Sequence, residues 1–200
     1  QGYEELLALD LGAILAGEEA YTAFQRRDPL FLICTNGQRD RCCAKFGWPV
    51  YEALRETYAG DLWQSTHIGG HRYAPNLLFL PHSVNYGLCS AEEAFAAVEA
   101  HYNGRLYDLA HYRGRTYYPP HVQAADYFLR RDLHFQALTG LRLLEDLQLD
   151  ENSWRVRFLL VEANETHTLH VHRDLTAEKH LVSCTSPKEK VVERYRLQVT

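Results

Sequence analysis

The chain has 200 residues, 46% of them hydrophobic, which is enough for one ordinary domain or two small ones with a buried core. Its 21 basic and 26 acidic residues are spread along the sequence and give a net charge of −5, which argues against a nucleic-acid-binding protein. No apolar run approaches the roughly 20 residues of a membrane-spanning helix, and the N-terminus lacks the pattern of a signal peptide, so a cytoplasmic protein is expected. The chain has no Met and begins at Gln1, which predicts that an upstream segment has been removed.

Cysteine and histidine are the unusual part of the composition, with 5 and 11 residues respectively. An odd number of cysteines, of which Cys42 and Cys43 are adjacent, is a poor framework for disulfides, and a reducing cytoplasm disfavours disulfides in any case. A metal or redox role is therefore the leading interpretation of these residues.

The first predicted elements lead up to a buried strand. Apolar residues near helical spacing predict a short amphipathic helix over residues 3–15 that stops at Gly17. The apolar run at residues 30–33 predicts a buried strand, and this strand delivers the chain directly to Cys34.

The elements after that strand predict an α/β layer. A helix is expected over residues 44–58, with Pro49 close to its first turn. Three short strands and a further helix follow at residues 62–66, 76–80, 84–88 and 91–102. Ser90 and Glu93 form the capping-box signature of the last helix. The order strand, helix, strand, strand, strand, helix resembles the arrangement of thioredoxin.

The rest of the chain has a different character. Residues 105–120 are predicted to form a connecting loop, and residues 121–133 another helix. From residue 141 onward, alternating apolar residues separated by turn-like segments predict antiparallel strands. The sequence therefore predicts an α/β thioredoxin-like domain at residues 1–135, with the N-terminal helix as a lead-in, and a β-rich C-terminal extension at residues 136–200.

The spacing Cys34-x8-Cys43, followed by His67-x3-His71, places two thiols and two imidazoles near the ends of predicted strands. These are enough donors for a complete metal shell. Zinc and a 2Fe-2S cluster both accept two Cys and two His, so the type of ligand leaves both open. The x8 gap is longer than the cysteine spacing of zinc fingers, and this departure favours the cluster.

Glycines near the four donors also favour a cluster. Gly69 and Gly70 lie between the two histidines, where a zinc finger has a helix. A loop around bridging sulfides needs backbone N–H groups at close range, which residues without Cβ permit. Gly37, between the cysteines, fits the same need.

Four stretches of the sequence occur in a recognisable order: CTNGQRDRCCAKFGWPVYEALR, THIGGHRYAPNLLFLP, YGLCSAEEA and RGRTYYPPHVQAADYFLR. Together they resemble the sucrase/ferredoxin-like family over residues 5–135. The resemblance implies a thioredoxin-like ferredoxin domain, and the fungal members imply a non-Rieske 2Fe-2S cluster held by two Cys and two His. Carried over to the matching positions, this selects Cys34, Cys43, His67 and His71 as cofactor ligands.

The resemblance implies an electron-transport protein without a substrate site of its own, whose partner is an unidentified redox protein. Two neutral imidazoles in place of two thiolates make the cluster less negative, so we expect a potential above that of a plant-type ferredoxin. Because each imidazole keeps one ring N–H, we expect the potential to fall with rising pH. The strand edges of the C-terminal extension also allow a homodimer.

Other interpretations of the same residues stay open on the sequence alone. A zinc-stabilised interaction domain uses the same ligands, and spacing alone does not choose between Cys42 and Cys43. A thiol oxidoreductase built on Cys34 or the adjacent pair lacks a C-x-x-C motif after the first strand. Glu92 and Glu93 begin a helix, so they do not form the paired carboxylates of a glycosidase.

Three further groups of residues bear on the site. Polar residues that flank the four donors are either partners of the ligands or turn residues: Arg39, Asp40, Arg72 and Asn76. Histidines in one predicted strand are either a second metal site or exposed strand residues: His167, His170 and His172. Cys89 and Cys184 are expected to be small packed residues.

Overall fold

The computed structural model describes residues 3–198, which form two sheets and five α-helices. The helices are α1 (Glu4–Leu7), α2 (Leu11–Ala16), α3 (Arg41–Leu54), α4 (Ala91–Tyr102) and α5 (Pro120–Leu133). The strands are β1 (Leu30–Cys34), β2 (Leu62–Ser65), β3 (Asn76–Leu80), β4 (Val84–Gly87), β5 (Tyr112–Arg115), β6 (Leu141–Gln148), β7 (Ser153–Leu160), β8 (Glu165–Leu181) and β9 (Glu189–Leu197). None of the helices within residues 3–198 has both the length and the apolar composition to span a bilayer.

The first sheet has the strand order β2-β1-β3-β4-β5. Strand β1 pairs in parallel with β2 and antiparallel with β3, and β4 pairs antiparallel with β3. Helix α3 connects the two parallel strands and packs on both, and α4 follows β4 and packs on α3. This order and these directions define a thioredoxin-like α/β layer, in which a loop with a short 3-10 turn at His71–Tyr73 connects β2 to β3.

The predicted elements of this layer are confirmed, with two differences. Helix α3 begins at Arg41, so Pro49 lies inside the helix and its predicted place in the first turn is wrong. Strand β5 lies within the segment that was predicted to be a connecting loop. Its four residues, with Gly114 at a φ of 91°, lack the apolar alternation of a strand, and pairing with β4 rather than local pattern makes it one.

The N-terminal segment is two short helices rather than the single predicted helix. Asp10 interrupts the helical pattern because its carboxylate accepts hydrogen bonds from the backbone N–H groups of Gly12 and Ala13. It thereby caps a new helix, α2. That helix ends at Gly17, which has a φ of 73°, at the predicted position.

The second sheet has the order β6-β7-β8-β9 and is antiparallel throughout, as predicted for the C-terminal part of the chain. Helix α5 packs on β7, β8 and β9 of this sheet, and it also contacts β5 of the first sheet. Val122 and Leu129 of α5 are buried against Trp154, Phe158 and Val171. Helix α5 contacts both sheets. The predicted division into a domain at residues 1–135 and an extension at residues 136–200 stays a prediction.

Acid pH is expected to destabilise this fold through His101. Its ring lies 5.5 Å from that of Phe31 and 5.4 Å from that of Phe79, and burial, with the nearby charges of His82 and Arg115, lowers its pKa from 6.5 to about 4. Between these pH values the unfolded chain binds the proton and the folded chain does not, so the free energy of unfolding rises with pH. The rise should be about 3 kcal/mol.

Urea denaturation between about pH 4 and pH 7 measures this effect. The variant His101→Phe should show a shallower rise because the buried titrating group is gone. The exposed His134 provides the control, since His134→Asn should keep the steep rise of the original chain. An unchanged pH dependence in His101→Phe would contradict the assignment.

Candidate metal centre

Three of the predicted donors converge at one edge of the first sheet. Strands β1 and β2 are parallel, with Cys34 paired to Ser65, so their carboxyl ends meet there. Cys34 ends β1, and His67 follows β2 by two residues. Cys43 lies in the first turn of α3, which begins at the same edge. The donor atoms of Cys34, Cys43 and His67 all lie within 4.8 Å of one another, and Cys43 Sγ is 3.6 Å from His67 Nδ1.

The fourth predicted donor, His71, lies in an adjoining group with Asp40 and Cys42. Its Nδ1 atom is 3.9 Å from Cys42 Sγ, whose thiol donates a hydrogen bond to the backbone oxygen of His71. Cys43 therefore belongs to the group with Cys34 and His67, whereas Cys42 belongs to the group with His71. The predicted set of Cys34, Cys43, His67 and His71 remains a prediction, with its members in two neighbouring groups.

Both imidazole rings direct Nδ1 toward a thiol and Nε2 away from it. The Nε2–H of His71 donates to the backbone oxygen of Leu181 at 2.8 Å. Because a carbonyl only accepts, this bond places the hydrogen on Nε2 and leaves Nδ1 of the neutral ring with a free lone pair. In His67 the Nε2 atom is 3.6 Å from a carboxylate oxygen of Asp40. Nδ1 is therefore the atom that each ring can offer to a metal.

Asp40 connects this site to the C-terminal sheet. Its buried carboxylate accepts hydrogen bonds from Ser183 Oγ at 2.6 Å and from the backbone N–H of Cys184 at 2.7 Å, both in the turn between β8 and β9. Burial by itself raises the pKa of Asp40, but these hydrogen bonds outweigh it and hold the pKa below the ordinary value. The result is an anionic carboxylate beside His67.

Other flanking residues shape the loop that carries the histidines. The Asn76 amide donates to the backbone oxygen of Gly70 at 3.0 Å, and Arg72 donates to His180 Nδ1 at 3.0 Å. Gly69 and Gly70 have φ angles of 91° and 64°, which side chains rarely adopt. These glycines therefore permit the turn between the two histidines.

The donors fit a metal ion or an iron–sulfur cluster. All five cysteines are free thiols, and Cys34 and Cys43 are buried. Burial and the neighbouring Cys34 raise the pKa of Cys43, and burial and Cys184 raise the pKa of Cys42. These thiols stay protonated unless a cation stabilises their thiolates. Buried thiols side by side, with imidazole nitrogens aimed at them, are the donor set that such a cation requires.

The remaining candidates do not join a metal group. Within residues 3–198, the strand histidines His167, His170 and His172 form no such group. Cys89 is buried, as expected, but Cys184 is exposed because it lies in the turn between β8 and β9, so its predicted packing is wrong. Glu93 completes the capping box with Ser90 and contacts His111 Nε2 at 3.1 Å.

Comparison with known proteins gives one family. The sequence profile of the sucrase/ferredoxin-like family matches residues 6–114. A structure of a thioredoxin-like [2Fe-2S] ferredoxin from Aquifex aeolicus is 18% identical, with a TM-score of 0.40, over 48% of this chain and 97% of the ferredoxin. A crystal structure of the wild-type thioredoxin-like [2Fe-2S] ferredoxin from Aquifex aeolicus is 17% identical, with a TM-score of 0.39, over 45% of this chain and 100% of the ferredoxin. No curated protein matches the chain.

Strand order and donor geometry together define the class: a thioredoxin-like α/β protein with Cys and His groups suited to a metal at one edge of its sheet. The family match covers more than half of the chain. The chain therefore belongs to the sucrase/ferredoxin-like family.

Proposed function

We propose that this chain is a one-electron carrier in which Cys34, Cys43, His67 and His71 hold a 2Fe-2S cluster. The observation that supports it most is the convergence of two buried thiols and His67, with His71 in the adjoining group. A cluster held there supplies reversible uptake of one electron. No further substrate site is needed for that task.

The mixture of ligands sets the expected potential. Neutral imidazoles carry no charge, whereas each thiolate carries one negative charge, so this set neutralises the irons less than four thiolates do. A less negative site takes up an electron more readily. In Rieske centres the same exchange raises the potential from about −400 mV to between roughly −150 and +300 mV. We expect this protein above the plant-type value for the same reason.

The two Nε2 atoms are the positions at which the chain can hold or release a proton. His71 Nε2–H is held by the Leu181 carbonyl, and His67 Nε2 faces the anionic Asp40. The hydrogen bond to Leu181 orients the His71 ring, and the negative charge of Asp40 favours a hydrogen on Nε2 of His67. Because a more negative site binds this proton more tightly, uptake of an electron and retention of the proton favour each other.

A redox titration between about pH 6 and pH 10 tests this proposal. The potential should lie well above about −400 mV and fall as pH rises through the range in which the imidazoles titrate. The variant His71→Cys, which introduces a third thiolate, should have a lower potential. Cys89→Ala, which removes a thiol that lies outside both groups, should leave it unchanged. A pH-independent potential near the plant-type value would contradict the proposal.

The proposed partner is a redox protein that approaches from the histidine side. His67 keeps 23% of its side chain exposed, whereas Cys34 and Cys43 are buried, so the shortest route for an electron to the surface passes through the imidazole. A cytoplasmic location and a homodimer remain predictions from the sequence.

A further inference from the structure

A cleft of about 670 Å³ lies between the two sheets, next to the Gly69–Gly70 turn. Asn85 and Arg113 line it from the first sheet, and His180 and Lys190 from the second. Its volume falls in the range of roughly 300–1,000 Å³ that is typical of small-molecule sites. The proposed electron carrier needs no such cavity.

The cleft is lined by cationic side chains that lack carboxylate partners. Arg72, Arg113 and Lys190 all line it, and none of them forms an ion pair with Asp or Glu within the described residues. Glu193 is the one acidic residue of the lining. In a chain with a net charge of −5, three cations without a carboxylate partner around one cleft indicate a site for an anion.

Two of these cations, Arg72 and Arg113, make cation–π contacts with the same aromatic ring, that of Tyr73. The guanidinium of Arg113 lies 3.4 Å from the centre of the Tyr73 ring, and that of Arg72 lies 4.6 Å from it. Burial and the nearby charge of Arg72 lower the pKa of Arg113, and together they outweigh the opposing effect of Tyr73. An anion bound by Arg113 would offset both effects and accept its N–H donors.

The remaining walls suit a planar organic group. Tyr127, Phe128 and Tyr195 line the cleft, and aromatic side chains bind rings by stacked or edge-on contacts. The Oδ1 atom of Asn85 is buried without a hydrogen-bond partner among the described residues, so it can accept a hydrogen bond from a bound molecule.

We propose that this cleft binds a small organic anion in which an aromatic ring carries a phosphate or carboxylate group. Arg113 and Lys190 bind the anionic group, and the tyrosine and phenylalanine side chains contact the ring. The site is formed by residues outside the Cys and His groups. The turn between the two histidines forms one wall of the cleft, but none of the proposed cluster ligands lines it, so the anion site does not require a bound cluster.

Fluorescence titration of the full chain with 1-naphthyl phosphate, and with 1-naphthoate as the carboxylate counterpart, tests this proposal. Saturable binding of at least one of them is expected. Arg113→Gln should weaken it about tenfold or more, as expected for loss of a charged hydrogen bond. Lys190→Gln should weaken it severalfold, and more so at low salt. Arg142→Gln removes an exposed arginine of β6 that does not line the cleft, and it should bind like the original chain.

Several outcomes would overturn the proposal. One is the absence of saturable binding of either probe, and another is an affinity of Arg113→Gln and Lys190→Gln equal to that of the original chain. The others are an affinity for neutral 1-naphthol, or for inorganic phosphate, that equals the affinity for the anionic probes. Circular dichroism of each variant identifies a loss of binding that comes from unfolding. Visible absorption of the same samples keeps the two proposals apart, because a cluster spectrum without probe binding contradicts only this one.

Discussion

Replacement of Arg130 by Met is expected to reduce the free energy of unfolding by about 3–5 kcal/mol. Arg130 and Asp126 are each 1% exposed, and Arg130 Nε donates to both oxygens of that carboxylate, at 3.1 and 2.9 Å. Arg130 Nη1 also donates to the backbone oxygen of Ala137 at 2.8 Å. Methionine fills a similar volume but leaves the Asp126 charge buried, with the Tyr112 hydroxyl as its remaining donor.

The adjacent residue provides a matched control. Arg131 pairs with Asp132, but both side chains are about half exposed, at 50% and 49%. Arg131→Met should therefore change the free energy of unfolding by less than about 1 kcal/mol. Urea denaturation of both variants measures the difference. Equal losses would contradict a structural role of the buried pair in joining α5 to the segment that leads into β6.

Gly47→Ala should have the second large effect, and its sign is informative. Alanine normally stabilises a helix interior by about 1 kcal/mol relative to glycine. At Gly47 an added Cβ would lie 2.1 Å from the backbone oxygen of Cys34, so α3 would have to move away from β1. We expect a loss of about 3 kcal/mol or more, since overpacking against backbone cannot be relieved by a rotamer change.

Gly60→Ala is the control for this substitution. A Cβ at Gly60 meets nothing within 4 Å, so the free energy of unfolding should change by less than about 0.5 kcal/mol. Displacement of α3 also separates Cys43 from Cys34, so Gly47→Ala should also weaken binding of the proposed cluster. A stabilised Gly47→Ala variant, measured by urea denaturation, would contradict the close approach of helix and strand.

The sequence predicts the thioredoxin-like layer well because its local signals are strong. The apolar run before Cys34 and the capping box of Ser90 and Glu93 each determine an element from a few neighbouring residues. Parallel pairing of β1 and β2 then brings Cys34 and His67 to one edge. Convergence of these two donors follows from the order of strands alone.

The contribution of the C-terminal sheet to the site could not be predicted. Ser183 and Cys184 bind Asp40, and Leu181 accepts from His71, across more than 100 residues of sequence. Neither spacing nor hydrophobic pattern reports a contact at that separation. The same limit explains why Asp40 could be read from the sequence as a turn residue, although its carboxylate is buried between two parts of the fold.

Electron paramagnetic resonance of anaerobically purified, reduced protein is the most direct test of the proposed 2Fe-2S cluster at Cys34, Cys43, His67 and His71. The protein should be reddish and should become paramagnetic on reduction. The signal should be lost or altered in His67→Ala and Cys43→Ser, and retained in Cys89→Ala, which removes a thiol outside both Cys and His groups. A colourless, zinc-containing protein without a signal, or an unchanged signal in His67→Ala, would contradict it.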